Sequence, residues 1–407
     1  MANEIILLNI SGQDKPGLTS GLTSVLAEYG AKVLDIGQAN IHDTLSLGIL
    51  FKIESGEKSA AVLKDLLFKS YELGIKAKFT PITLEKYEHW VSLQGKDRYI
   101  VTILGDKLSA KQISEVTQVI SEKNLNINAI KRLTGRLSLI KEEEYPRACI
   151  ELSIRGKIDD KAQITEKFMQ ISHDLNVDIA FQEDNIYKRN RRLVCFDMDS
   201  TLIQTEVIDE LAELAGVGSE VKAITESAMN GEIDFNESFI SRMKLLKGLS
   251  EEVLQEVAVN LPITKGARRL INTLKNYGFK TAILSGGFTY FGHYLQKELG
   301  IDYVYANQLE IKDGVLTGNY IGDIVNGNKK AEYLKELAKK EGIDINQTIA
   351  VGDGANDLPM LNVAGLGIAF HAKPTVKDNA QNSISSIGLD GVLYLLGYHD
   401  RHIDLIE

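Results

Sequence analysis

Two aspartates separated by one methionine, Asp197 and Asp199, stand where the apolar run Leu193-Val194-Cys195-Phe196 gives way to polar residues. Carboxylates that close repel unless a cation joins them, so the pair raises the pKa of one member or recruits a metal. Ser200 and Thr201 follow, with hydroxyls and N–H groups that the pattern places at a helix start, where anions bind readily. Asp199 or Ser200 acting only as a helix N-cap would explain one of these residues, not the pair of aspartates. Two further apolar runs end in similar chemistry. Lys280-Thr281-Ala282-Ile283-Leu284 leads into Ser285-Gly286-Gly287, whose glycines let N–H groups approach an anion closely. Thr348-Ile349-Ala350-Val351 leads into Gly352-Asp353-Gly354-Ala355-Asn356-Asp357, which adds carboxylates. Asn328-Lys329-Lys330 opens a helical stretch and offers the cation an acidic protein needs to hold a phosphate. Three strand ends, each suited to one corner of a phosphate-and-metal site, point to a single catalytic centre.

In an open parallel sheet, ligands bind beyond the carboxyl ends of the strands, so these runs must lie side by side. A mostly helical block at about 207–262 separates the first from the second and is expected to cap the site. Upstream, the hydrophobic periodicity predicts a β-α-β-β-α-β order over residues 4–82 and a repeat of it over 98–181. The copies differ most at the first turn, Asp14-Lys15-Pro16-Gly17 against Asp106-Lys107-Leu108-Ser109, and in a long link from Thr134 to Pro146. The basic run Tyr187-Lys188-Arg189-Asn190-Arg191-Arg192 falls where the pattern changes and reads as a solvated linker.

The totals bound the rest. A chain of 407 residues suggests two or three domains, and 44% hydrophobic with 25% charged residues is ordinary globular composition. A formal net charge of −10 argues against a nucleic-acid partner. No apolar run is long enough to span a membrane, and Met1-Ala2-Asn3-Glu4-Ile5 lacks the basic start of a signal peptide. Cys149 and Cys195 lie in apolar runs and read as buried thiols, which fits the cytoplasm.

Asp197-Met198-Asp199-Ser200-Thr201, Ser285-Gly286-Gly287, Lys330 and Gly352-Asp353-Gly354-Ala355-Asn356-Asp357, in that order, look like the four motifs of the haloacid dehalogenase superfamily. Within it, Glu206, Phe235 and Arg242 match positions of the phosphoserine phosphatase subgroup, and the resemblance covers about residues 192–400. It implies hydrolysis of O-phospho-L-serine to L-serine and phosphate, the last step of serine biosynthesis, with Asp197 as nucleophile and Asp199 as general acid and base. Mg²⁺ is implied at Asp197, Asp353 and the backbone carbonyl of Asp199. Ser285, Gly286 and Lys330 would hold the phosphoryl oxygens, with Asn356 beside the substrate. Asn356 and Asp357 would orient lysine, metal and water, while Glu206 and Arg242 would read the amino and carboxylate groups beside Phe235.

The turn Asp14-Lys15-Pro16-Gly17 in its strand order resembles the ACT domain, a ligand-sensing module, over about 4–82 and more weakly over 98–184. That resemblance implies pairing across subunits in a homodimer and an amino-acid effector, with serine expected at Asp14, Gly17 and Asn40. The second copy lacks the proline-glycine pair and is expected to be a scaffold or dimerisation element. The expected fold is α/β: ferredoxin-like α+β ACT domains at 1–85 and 95–186, then a Rossmann-like core with helical cap at 192–407. Competing readings are a related phosphatase or phosphotransferase with another small ester, and an amino-acid sensor with a vestigial phosphatase.

Overall fold

Residues 3–93, 97–140, 146–229 and 232–403 are described by a computed structural model, in which the chain divides into two units, Met1–Lys96 and Asp97–Glu407. In the first, the alternation Leu45, Leu47, Ile49, Phe51, Ile53 buries one face of a strand and leaves the other outside, the pattern of a half-covered antiparallel sheet. The strands are β1 (Asn3–Gln13), β2 (Lys32–Ile41), β3 (Thr44–Glu54) and β4 (Lys76–Ile82), in the order β2-β3-β1-β4. Helices Leu18–Glu28 and Glu57–Leu73 set Leu18, Leu22, Leu26, Val62 and Leu66 against the apolar face. A further helix, Leu84–Ser92, follows β4, started by the Thr83 hydroxyl accepting from Lys86 N–H. The periodicity predicts no element there, since one capping threonine before a short, mostly polar stretch is a weak signal.

The second unit begins with the repeat: β5 (Arg98–Gly105), β6 (Asn126–Arg132), β7 (Ala148–Arg155) and β8 (Asp178–Glu183), in the equivalent order β6-β7-β5-β8. Five residues of the Thr134–Pro146 link, 141–145, lie outside the described residues. Whereas β1 alternates, β5 is buried at every position from Tyr99 to Gly105. Its second face is covered: Leu104, Leu133, Cys149 and Ala180 share one apolar core with Val194 and Phe196.

Polar contacts close the same seam. The buried Asp178 carboxylate accepts from the N–H groups of Ser385 (2.8 Å) and Ser386 (2.9 Å) and from the Ser386 hydroxyl. Gln182 Nε2 donates to Leu395 O at 3.0 Å. The run expected to be a solvated linker is part of this junction. Lys188 is buried against Glu151 at 2.9 Å, and Arg191 is buried with contacts to Gln182 Oε1 and Thr348 O. Burial lowers the Arg191 guanidinium to about 10, so its charge survives. A charge run read by composition alone hides such pairing, because the acceptors are distant in sequence.

The third sheet holds β9 (Leu193–Phe196), β10 (Lys280–Phe288), β11 (Tyr303–Lys312), β12 (Val315–Ile321), β13 (Thr348–Gly352), β14 (Leu366–Phe370) and β15 (Asn382–Ile384). Its order is β12-β11-β10-β9-β13-β14-β15, parallel except for the β11-β12 hairpin. Both faces are packed: Val194 and Phe196 enter one core, Leu193 and Cys195 the other, which is why β9 is a continuous apolar run. The chain leaves β9 towards β10 on one side and later returns to β13 on the other, so a crevice opens at the carboxyl end of β9. Four helices, Val207–Leu214, Gly218–Met229, Phe235–Leu245 and Glu252–Val259, form the expected cap between β9 and β10. An Ile203–Ile263 bridge closes the cap's base, and Gly248–Glu251 is hydrogen-bonded to Gly314–Leu316 of the β11-β12 hairpin.

The seam makes a testable demand. Asp178→Ala strands three donors of Ser385 and Ser386, and should lower the unfolding free energy of the second unit by about 2–4 kcal/mol. Urea titration checks it; a midpoint equal to wild type would mean the clamp contributes nothing.

Candidate active site

Asp197 is the first residue beyond β9, and its N–H bonds to Val351 O at 2.9 Å, which sets the ends of β9 and β13 level. Lys330 reaches the same point from helix Gly327–Lys340, whose N-cap Asn326 accepts from Lys329 N–H. The lysine is fully buried, and its Nζ lies 2.8 Å from Asp197 Oδ1 and 2.6 Å from Asp357 Oδ1. Burial disfavours the ammonium, but the two carboxylates outweigh it and hold its pKa well above the lysine norm. Asp197 Oδ1 also accepts from Met198 N–H at 2.8 Å, so Oδ2 is the oxygen left for other chemistry.

The turn after Asp197 differs from the expected helix start. Met198–Leu202 is a single wide turn, with Asp199 extended (φ −64°, ψ 138°) and Ser200 left-handed (φ 54°); the helix proper begins at Val207. The turn redirects the chain so that Ser200 Oγ donates to Glu206 Oε1 at 2.8 Å and Val207 N–H donates to Asp199 Oδ1 at 3.1 Å. Asp199 and Glu206 therefore face one space.

One cavity of about 690 Å³ is lined by Asp197, Asp199, Glu206, Phe235, Arg242, Ser285, Gly286, Asp353 and Asn356, all named from sequence. Lys330 and Asp357 stand behind it. Asp209, Gly287 and a wall of Lys373, Thr375 and Val376 also line it, and no motif spacing flags them apart from the paired glycines. At Gly287 a Cβ would lie 2.5 Å from Asp199 Oδ2 and 2.7 Å from Met198 Cε, so any larger residue would displace those side chains. Asp14, Gly17 and Asn40 belong to the first unit, where Asn40 Nδ2 donates to Asp14 Oδ2 and Gly17 (φ 90°) precedes helix Leu18–Glu28.

The electrostatics divide the carboxylates by role. Asp197 is raised to about 7 by burial and Asp357, against the pull of Lys330; Asp353 is raised to about 8 by burial, Asp197 and Asp357. Carboxylate oxygens of Asp197, Asp353 and Asp357 lie within 4.8 Å of one another, where a cation could be shared. Asp357 thus stands with the cation-binding oxygens as well as behind the lysine, while the Asp199 carboxylate turns to Val207 N–H. One ammonium cannot balance two buried carboxylates and the half-buried Asp353, and the hard oxygen donors suit a divalent cation such as Mg²⁺. Asp199 is held well above the usual carboxylate range by burial, then by Glu206 and Asp197, which favours its protonated form. Arg242 is lowered by burial but supported by Glu206, Asp209 and Asp199, and it remains a cation opposite Glu206.

A protonated Asp199 that acts as an acid is lost as pH rises through its pKa. Glu206→Gln removes a charge that raises that pKa. The alkaline limb of kcat should therefore move to lower pH. A pH–rate profile at saturating phosphate ester checks this; a limb unmoved or displaced upward contradicts the assignment.

Comparison with known proteins agrees with this geometry. Residues 4–80 and 98–182 each match an ACT domain family, and residues 194–362 match the haloacid dehalogenase-like hydrolases. Phosphoserine phosphatase SerB2 of Mycobacterium tuberculosis is 36% identical over 99% of this chain and 95% of its own length. Phosphoserine phosphatase of Streptomyces coelicolor is 38% identical over 99% of this chain and 94% of its own. The crystal structure of a probable phosphoserine phosphatase from Vibrio cholerae superposes with a TM-score of 0.57 at 35% identity, covering 76% of this chain and 89% of that one. With two ACT domains ahead of a haloacid dehalogenase-like hydrolase and this likeness along nearly its whole length, the chain belongs to the phosphoserine phosphatase family.

Proposed function

We propose that this protein hydrolyses O-phospho-L-serine to L-serine and inorganic phosphate as the closing step of serine biosynthesis. The observation that carries the reading is that phosphate-handling groups and an oppositely charged amino-acid-reading pair, Glu206 and Arg242, line one cavity. Glu206 takes the substrate ammonium and Arg242 its carboxylate, with Phe235 beside them. Ser285, Gly286 and Lys330 hold the phosphoryl oxygens, with Asn356 at the cavity edge. Asp197 Oδ2 attacks phosphorus, the bond from phosphorus to the serine oxygen breaks, and Asp199 gives its proton to that oxygen. Asp199, now a carboxylate, takes a proton from water as that water attacks the aspartyl-phosphate; phosphate leaves and Asp197 is restored. Mg²⁺ would be held by Asp197, Asp353 and the backbone carbonyl of Asp199, with Asp357 close by, and would offset charge on the phosphoryl oxygens. Cys149 and Cys195, both buried and free, are compatible with a reducing cytoplasm.

Phosphate release from L-phosphoserine should require Mg²⁺, stop with EDTA and vanish in Asp197→Asn. Arg242→Ala should raise KM at least about tenfold for phosphoserine and leave p-nitrophenyl phosphate little affected. Equal turnover of many unrelated esters would overturn the cap assignment while keeping the chemistry.

Regulation belongs to the first unit. Serine bound near Asp14, Gly17 and Asn40, in a homodimer, would adjust activity through the ACT domain. The outer strand β2 supports such pairing: Val33, Ile36 and Ile41 are exposed along it. Serine should change kcat or the oligomer distribution in wild type. Gly17→Ala, strained at φ 90°, should blunt that change without altering activity in the absence of serine. A serine response that is purely competitive and identical in the variant rules this out.

A further inference from the structure

Asn307 is a polar residue 2% exposed, on β11, with no part in the chemistry above. Leu284 pairs with Tyr305 and Phe288 with Asn307, so β10 spends four residues where β11 spends two. The ladder is interrupted over Ser285-Gly286-Gly287, the segment that faces the phosphate position, and two consecutive glycines have little stiffness of their own. Asn307 bridges this gap. Its Nδ2 donates to Gly286 O at 2.7 Å, while its Oδ1 accepts from Val325 N–H at 2.8 Å.

Each end of that amide controls one arm of the anion site. The Gly286–Gly287 peptide is clamped twice: its carbonyl by Asn307, and its N–H by donation to Ser285 Oγ at 2.9 Å. A serine oxygen that accepts from Gly287 keeps its own proton free to donate to a phosphoryl oxygen. On the other side, Val325 immediately precedes Asn326, the N-cap of the helix carrying Lys330, and Lys330 N–H donates to Asn326 O. One buried side chain thus ties the serine-glycine arm to the lysine arm.

We infer that Asn307 is a positioning residue that fixes the distance between the Ser285-Gly286 turn and the Lys330 helix, so that both meet the same phosphoryl group. The inference rests on the phosphatase reading of the cavity. Asn307→Asp keeps the acceptor for Val325 N–H but sets a repelling oxygen against Gly286 O; Asn307→Ala removes both bonds. Both variants should weaken competitive inhibition by inorganic phosphate about tenfold or more. They should also lower kcat/KM for phosphoserine and p-nitrophenyl phosphate by a common factor. Arg242→Ala is the contrast, expected to spare phosphate inhibition and to affect phosphoserine alone.

Calorimetric titration with inorganic phosphate gives the same readout if wild type turns over neither ester, so the two readings fail separately. Turnover of p-nitrophenyl phosphate without phosphoserine would sink the substrate assignment and leave the Asn307 test intact. Folded variants with unchanged phosphate affinity, or a loss confined to phosphoserine, overturn the inference. Unfolding of both variants would make Asn307 a fold residue and overturn it equally.

Discussion

A lysine ammonium with no exposed surface needs anions at contact distance, and Lys330 has two, Asp197 and Asp357. Asp197 directly follows β9 and Asp357 closes the short turn beyond β13, so the two strands must be adjacent, parallel and level, as the Asp197 N–H to Val351 O bond requires. The lysine in turn needs its helix started at a fixed place, which the Asn326 cap provides. Yet one cation cannot neutralise Asp197, Asp353 and Asp357 together, and the carboxylate oxygens they bring together could hold a metal ion. The same low-dielectric setting that makes the cluster costly also pushes the Asp199 carboxyl upward, towards its protonated form.

Much of this was readable in the chain because its motifs are local. Apolar runs of four or five residues ending in Asp197, Ser285 and Asp353 mark strand ends without any tertiary knowledge, and the cap residues Glu206 and Arg242 follow from the family resemblance. What stayed hidden depends on partners far away in sequence. Nothing in Tyr305-Ala306-Asn307-Gln308 announces that one amide will span the gap left by a bulge in β10. The left-handed Ser200 was equally silent, since its conformation follows from the need to turn Glu206 back towards Asp199.

The two ACT copies show how burial separates similar topologies. β1 carries Asn9 and Ser11 on the face away from its helices, whereas Tyr99 to Leu104 on β5 offers an almost unbroken apolar run. That run was a usable sign that both faces would be covered. Periodicity could not name the cover, which is the phosphatase core itself, nor foresee that Lys188 and Arg191 would be enclosed in the seam. The second copy is accordingly a fixed part of the catalytic unit, consistent with its loss of the proline-glycine turn.

The ties at the base of the cap bear on how a substrate is chosen. Helix Phe235–Leu245, which carries Arg242, rests on the core through Phe239, whose ring meets Phe288 at 6.2 Å and Tyr320 at 5.5 Å. Residues just beyond it are stitched to the β11-β12 hairpin. Helix Gly218–Met229, by contrast, packs chiefly on its cap neighbours. Arg242 is thus tied to the core through its own helix, whereas the neighbouring helix is held chiefly by the cap, so a shift of the core beneath Phe239 would be felt at Arg242.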